Sequence, residues 1–213
     1  MPRLSPIRRD SRLRRRASSR PPRSITLIVC EGETELEYLA VLCNRLGLLP
    51  TDVILAENTG GSAPISVVAC AERRAKERGG YDHIFCVFDR DSHESFERAR
   101  SRIRQLASRR SAALPIREIV SVPCFEIWVL LHFEQSDAQF AECSEVLSRI
   151  RDRHMPDYVK VKVRVANALV DCLDAALASA AWLEVRAEGN NWNPYTQVHQ
   201  LVAHLRAVAA QED

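Results

Sequence analysis

Between residues 25 and 122, short apolar runs alternate with longer segments whose apolar positions recur every three or four residues. Ile25-Thr26-Leu27-Ile28-Val29-Cys30 is β-branched and continuous, as in a strand buried on both faces. The turn Glu31-Gly32-Glu33-Thr34-Glu35 follows. Leu36, Leu39, Val41, Leu42 and Leu46 then predict a helix up to Gly47. Val53–Ala56 is a weaker strand signal, and Asn58–Ser62 reads as a loop. Pro64 to Arg78 predicts a helix stopped by Gly79-Gly80. His83–Phe88 is a clear strand, followed at once by Asp89-Arg90-Asp91. A charged helix from about His93 to Arg109 and a strand from Pro115 to Val122 complete the series. Buried strands alternating with helices predict an α/β fold with a parallel sheet.

From Pro123 onwards the pattern turns helical. Helices are expected over Phe125–Phe133, Ala138–Arg151 and Val163–Trp182. Asn193-Pro194 reads as the N-cap and first position of a last helix reaching about Ala209. Residues 155–158 and 188–193 read as loops. The expected organisation is an arm over 1–23, an α/β core over 24–122, and a mostly helical extension over 123–213 packed on that core.

Charge changes the picture at the N-terminus. Residues 1–24 hold nine arginines and one acid, a net of +8, whereas the whole chain of 213 residues carries +2, so the remainder sums to −6. A segment rich in Arg, Ser and Pro has no apolar surface to bury and is expected to be disordered. It suits phosphate contact as well as a merely solvated leader, and an organellar transit peptide shares its composition. It has no apolar stretch of the secretory kind, and no run in the chain approaches the length of a membrane span. The seven cysteines show no C-x-x-C spacing, so free buried thiols in a reducing cytoplasm are expected rather than a zinc site or disulfide framework.

The chemistry lies in the acids at strand ends. Glu31 follows the first strand; Asp89 and Asp91 follow the third. Ligands of open parallel sheets bind beyond the carboxyl ends of the strands, so these three are expected to converge. Clustered carboxylates with no His or Cys beside them suit Mg²⁺ or Mn²⁺ rather than zinc. Each acid also has a plain structural use: Asp91 as a helix N-cap, and Glu33 and Glu35 as first-turn acids favoured by the helix dipole.

The string IVCEGETELEYL, with FDRD some 50 residues on, resembles the Toprim domain of topoisomerases, bacterial primases and OLD-type nucleases. The stretch SVPCFEIWVLLHF over 121–133, then Tyr158 and Lys160, then Asn193-Pro194-Tyr195-Thr196, resembles the RloB family. The resemblance implies that Glu31 is a general acid/base or metal ligand, that Asp89 and Asp91 coordinate Mg²⁺, and that Glu35 is a second acid. It further implies a phosphodiester-cleaving nuclease of phage defence by abortive infection, commonly encoded beside an ATPase. The alternative is a non-cleaving module that binds nucleotide or nucleic acid, or regulates that ATPase. Two positions depart from the family's usual string: Val122 stands for Asn, and Tyr195 for Ser.

Four further features carry two readings each. Glu126, in an otherwise apolar helix, is either a site acid or a dipole-stabilised first-turn residue. His132 falls about 240° around that helix from Glu126 and reads as a core-edge histidine. Lys160, in the basic strip VKVKVR, is either exposed or a phosphate and transition-state contact. Trp182 and Trp192 flank a loop and serve either packing or base stacking. The expected catalytic set is therefore Glu31, Glu35, Glu126 and Lys160, with Glu31, Asp89 and Asp91 on the metal.

Overall fold

Each of the four apolar runs becomes a strand: β1 (Thr26–Cys30), β2 (Thr51–Leu55), β3 (His83–Asp89) and β4 (Ile116–Val122). The structure, a computed structural model, describes residues 24–48, 51–56, 63–90, 94–159 and 162–212. The arginine-rich arm, Asp91 and Lys160 lie outside the described residues. The four strands are parallel, and a short antiparallel β5 (Tyr195–Thr196) closes the sheet in the order β2-β1-β3-β4-β5. The protein is thus α/β, with a five-stranded, mostly parallel sheet.

Alternation along the strands splits the core in two. Ile28 and Cys30 of β1, Phe85 and Val87 of β3, and Ile119 of β4 face α1 (Glu33–Arg45) and the C-terminal helices. Leu27, Val29, Ile84, Cys86, Phe88 and Val120 face α2 (Pro64–Arg78) and α3 (Phe96–Ala107). Both faces are covered, which is why the strands read as continuous apolar runs. Helix α2 has the bounds its sequence predicts. Pro64 at its start needs no intrahelical N–H partner, and Gly79 at its end takes a positive φ of 66° that a side chain would resist.

After β4 the chain forms α4 (Glu126–Leu130), α5 (Cys143–Arg153), α6 (Val163–Asp171), α7 (Leu173–Ala187) and, beyond β5, α8 (Val198–Glu212). The expected helix over Phe125–Phe133 is shorter, because α4 ends in tight turns from Leu131 to Phe133. The expected helix over Val163–Trp182 is two helices broken at Cys172. Asn193-Pro194 does not open the last helix. Tyr195 and Thr196 instead pair with Val122 and Ser121 as β5, and α8 starts at Val198. The Asn193 side chain spans to residue 140: Nδ2 donates to the Phe140 carbonyl at 2.8 Å and Oδ1 accepts from the Phe140 N–H at 3.4 Å. No helix among the described residues is long and apolar enough to cross a membrane.

The cysteine expectation fails at one pair. Cys124 and Cys143 form a disulfide across 19 residues, with Cα atoms 5.6 Å apart. Local spacing cannot reveal such a pair, because the packing of α4 against α5 brings it together. Cys30, Cys43, Cys70 and Cys86 are buried free thiols, and Cys172 is exposed.

Candidate active site

Strands β1 and β3 are neighbours, yet the chain runs outward from them in opposite directions, to β2 on one side and β4 on the other. The gap beyond their carboxyl ends is the crevice where open α/β sheets bind ligands. Two bonds fix it. The Glu31 N–H donates to the Val87 carbonyl at 3.0 Å, continuing the ladder one step past β1. The Glu31 side chain then takes over, its Oε2 accepting from the Asp89 N–H at 3.0 Å. The first strand's acid therefore lies across the end of the third strand.

Glu35 reaches the same region from the first turn of α1, buried to 5% exposure. Its carboxylate packs on Gly32 so closely that a Cβ on that glycine would stand 2.7 Å from Oε2. A side chain here would displace the Glu35 carboxylate for want of space rather than strain the backbone, since the φ of −126° is open to any residue. Glu126, at the start of α4 and 8% exposed, closes the other side. The electrostatics record the convergence. The Asp89 carboxyl is pushed well above the usual carboxylate range, first by burial, then by the charges of Glu35, Glu126 and Glu31. A hydrogen bond from the Phe125 backbone N–H opposes the rise. Of the expected site residues, Glu31, Glu35, Asp89 and Glu126 come together; Asp91 and Lys160 fall outside the described residues.

Three features of the site were not given by the local pattern of the sequence. The Tyr158 hydroxyl is buried with no hydrogen-bond partner among the described residues, and its phenol is held protonated by burial and by the charges of Glu126 and Glu35. Tyr158 was legible only through the family string. The space at Gly32 depends on a side chain three residues away. The third feature is the disulfide, whose Cys143 Sγ lies 3.3 Å from Glu126 Oε2. Among the described residues, Cys124, Glu126 and Cys143 form a trio with all ligand atoms within 4.8 Å, but its two sulfurs are bonded to each other. A cavity of about 480 Å³ opens on Asp89, lined also by Arg90, Cys124, Cys143 and Asn193.

His132 belongs to the core. Its Nδ1 lies 2.8 Å from the Trp128 carbonyl and its Nε2 3.1 Å from the Tyr38 hydroxyl, and burial pushes its pKa down to about 4.

The strand-end acids, the buried Glu126 and the Asn193–Thr196 return strand all lie within residues 26–205, which match the family described as RloB-like protein. The chain belongs to the RloB-like family. The match spans β1 to most of α8, so the acids of this RloB-like site and the helices that enclose it are covered together. No curated protein and no solved structure matches the chain.

Proposed function

We propose that this RloB-like protein is a Toprim-type, Mg²⁺- or Mn²⁺-dependent nuclease that hydrolyses phosphodiester bonds. The observation that carries the reading is the packing of four carboxylates, Glu31, Glu35, Asp89 and Glu126, at one end of β1 and β3. Burying like charges together is costly, and a bound divalent cation offsets that cost.

The residues fit a hard divalent cation. Their donors are carboxylate oxygens, Asp89 opens on a cavity, and the Tyr158 hydroxyl, without a partner among the described residues, feels the charges of Glu126 and Glu35. Mg²⁺ suits such a place, because it keeps several waters and is held by one or two carboxylates plus substrate phosphates. Glu31 and Asp89 would hold it, with Asp91 as a third ligand. When bound, the ion polarises a phosphoryl oxygen and orients the attacking group. Glu35 and Glu126, whose charges act on Asp89, would accept the proton of an attacking water or return one to the leaving oxygen. The Phe125 N–H and the Asp89 N–H hold the Asp89 and Glu31 carboxylates in place. Lys160 and the arginine-rich arm would add positive charge along the substrate backbone.

This chemistry suits a defence effector acting on nucleic acid in the cytoplasm with an ATPase partner. The same residues could also serve a regulator that binds without cutting. The two readings part in one assay. Wild-type protein, incubated with single- and double-stranded DNA and RNA, should cleave at least one in Mg²⁺ or Mn²⁺ and none in EDTA. Asp89→Ala should abolish cleavage and keep the far-UV spectrum of the wild type. Metal-independent binding without cleavage would select the regulator.

A further inference from the structure

A second cavity lies beside the acids and takes no part in holding them. It has a volume of about 310 Å³, within the range of small-ligand sites. Trp192, Tyr195 and Phe96 line it together with Val120 and Val122, while Arg90 and Gln197 supply polar groups. It shares Arg90 and Val122 with the cavity that opens on Asp89, and Arg90 directly follows that residue in the chain. The two cavities thus meet at Arg90 and Val122.

The aromatic wall is held deliberately. Asn191 and Trp192 both have positive φ, 55° and 57°, a conformation that side chains rarely adopt and that costs free energy. The turn is fixed by the Trp192 N–H donating to the Ala187 carbonyl at 2.7 Å. It sets the indole edge-on to Tyr195, ring centres 4.9 Å apart, and leaves Trp192 42% exposed. Tyr195 is in turn fixed by β5 pairing with Val122. Trp182, the other tryptophan near this loop, is already covered: it packs on the core, and the Arg186 guanidinium lies 4.1 Å from its ring centre. Arg100, whose guanidinium lies 5.6 Å from the Phe96 ring centre, is locked to Glu118 by bonds of 2.9–3.0 Å, so that part of the lining is held in place.

We infer that the Trp192–Tyr195 cavity is a nucleobase subsite, which takes an unpaired base of a nucleic-acid strand whose phosphate runs past Arg90 towards Asp89. This rests on the nuclease reading and names its substrate as single-stranded. An exposed aromatic ring with an arginine at hand is the common means of holding single strands, since every base has a π-face. A base within a duplex has both faces covered by its neighbours and would first have to leave the stack.

The test is binding, measured without cleavage. Full-length protein in EDTA is titrated with a fluorescein-labelled oligothymidine of eight nucleotides, and fluorescence anisotropy gives the affinity. Trp192→Ala should weaken binding about fivefold or more, and Trp192→Phe should restore most of it. A blunt duplex of the same length should bind wild type and Trp192→Ala alike. Equal affinities of wild type and Trp192→Ala for the oligothymidine would overturn the subsite. So would equal losses on single strand and duplex, or no binding by wild type. Displacement of the oligothymidine by an equimolar amount of thymidine monophosphate would reassign the cavity to a free nucleotide and also overturn it. Trp192-dependent binding by a protein that cleaves nothing would remove the nuclease reading and leave the subsite. Cleavage with Trp192-independent binding would remove the subsite alone.

Discussion

The Asp89 backbone N–H donates to Glu31 Oε2 at 3.0 Å, so the acid that ends β1 is anchored on the acid that ends β3. The bond replaces a ladder step the two strands no longer make. It also brings one carboxylate to the base of another, which is unfavourable unless charge is removed or balanced.

Without metal, that conflict should appear as a pH dependence. Burial and the charges of Glu35, Glu126 and Glu31 raise the Asp89 pKa, so the folded state binds a proton the unfolded chain has released. Stability from this group is full below the ordinary carboxylate range and is lost as pH rises through the raised value. In EDTA, Asp89→Asn should be more stable than wild type at alkaline pH, and the gain should vanish in acid. Urea melts at several pH values measure it; equal stabilities throughout would show that Asp89 is not repelled.

Gly32→Ala probes the space beside Glu35. The added methyl would stand 2.7 Å from Oε2, which lies at the end of a flexible side chain. The carboxylate should swing aside at a stability cost of no more than about 1 kcal/mol, while metal-dependent cleavage falls at least tenfold. Full activity would mean that the position of Glu35 is not used.

His132 gives a pH effect of the opposite sign. Its folded pKa of about 4 lies below the free value of 6.5, so the unfolded chain takes up the proton first. Stability should fall as pH drops from about 6.5 towards 4, by up to about 3 kcal/mol. His132→Gln should flatten that part of the profile relative to wild type, read as the difference between their denaturation curves.

The disulfide closes a loop of moderate length between Cys124 and Cys143. In the chain-entropy account it stabilises the oxidised protein by about 3 kcal/mol. Reduction by a dithiol should lower the melting temperature of wild type and leave Cys143→Ser unaffected. Equal shifts in both would place the effect elsewhere.

What was legible in the sequence follows from how local each signal is. The four parallel strands and α2 were readable because apolar runs, Pro64 and Gly79 act within their own segments. Glu31 and Asp89 were readable because parallel strands present their carboxyl ends on one edge. Tyr195–Thr196 was not, because two residues become a strand only against Ser121 and Val122, which are 75 residues or so away in the chain. The Cys124–Cys143 pair and the space at Gly32 are likewise tertiary facts. Glu126 lay between the two cases: a carboxylate in an apolar helix marked it, but only packing placed it beside Asp89.

The measurement that bears most directly on the central claim is the turnover of Glu31→Gln on a nucleic-acid substrate that the wild type cleaves. Glutamine keeps an oxygen to accept the Asp89 N–H, so the strand ends stay joined while the charge that would hold the metal is lost. The account predicts a native melting curve and a rate lower by about 10²–10⁴-fold, partly restored by excess Mn²⁺ if metal binding is what was lost. Wild-type turnover by a folded Glu31→Gln protein would contradict it.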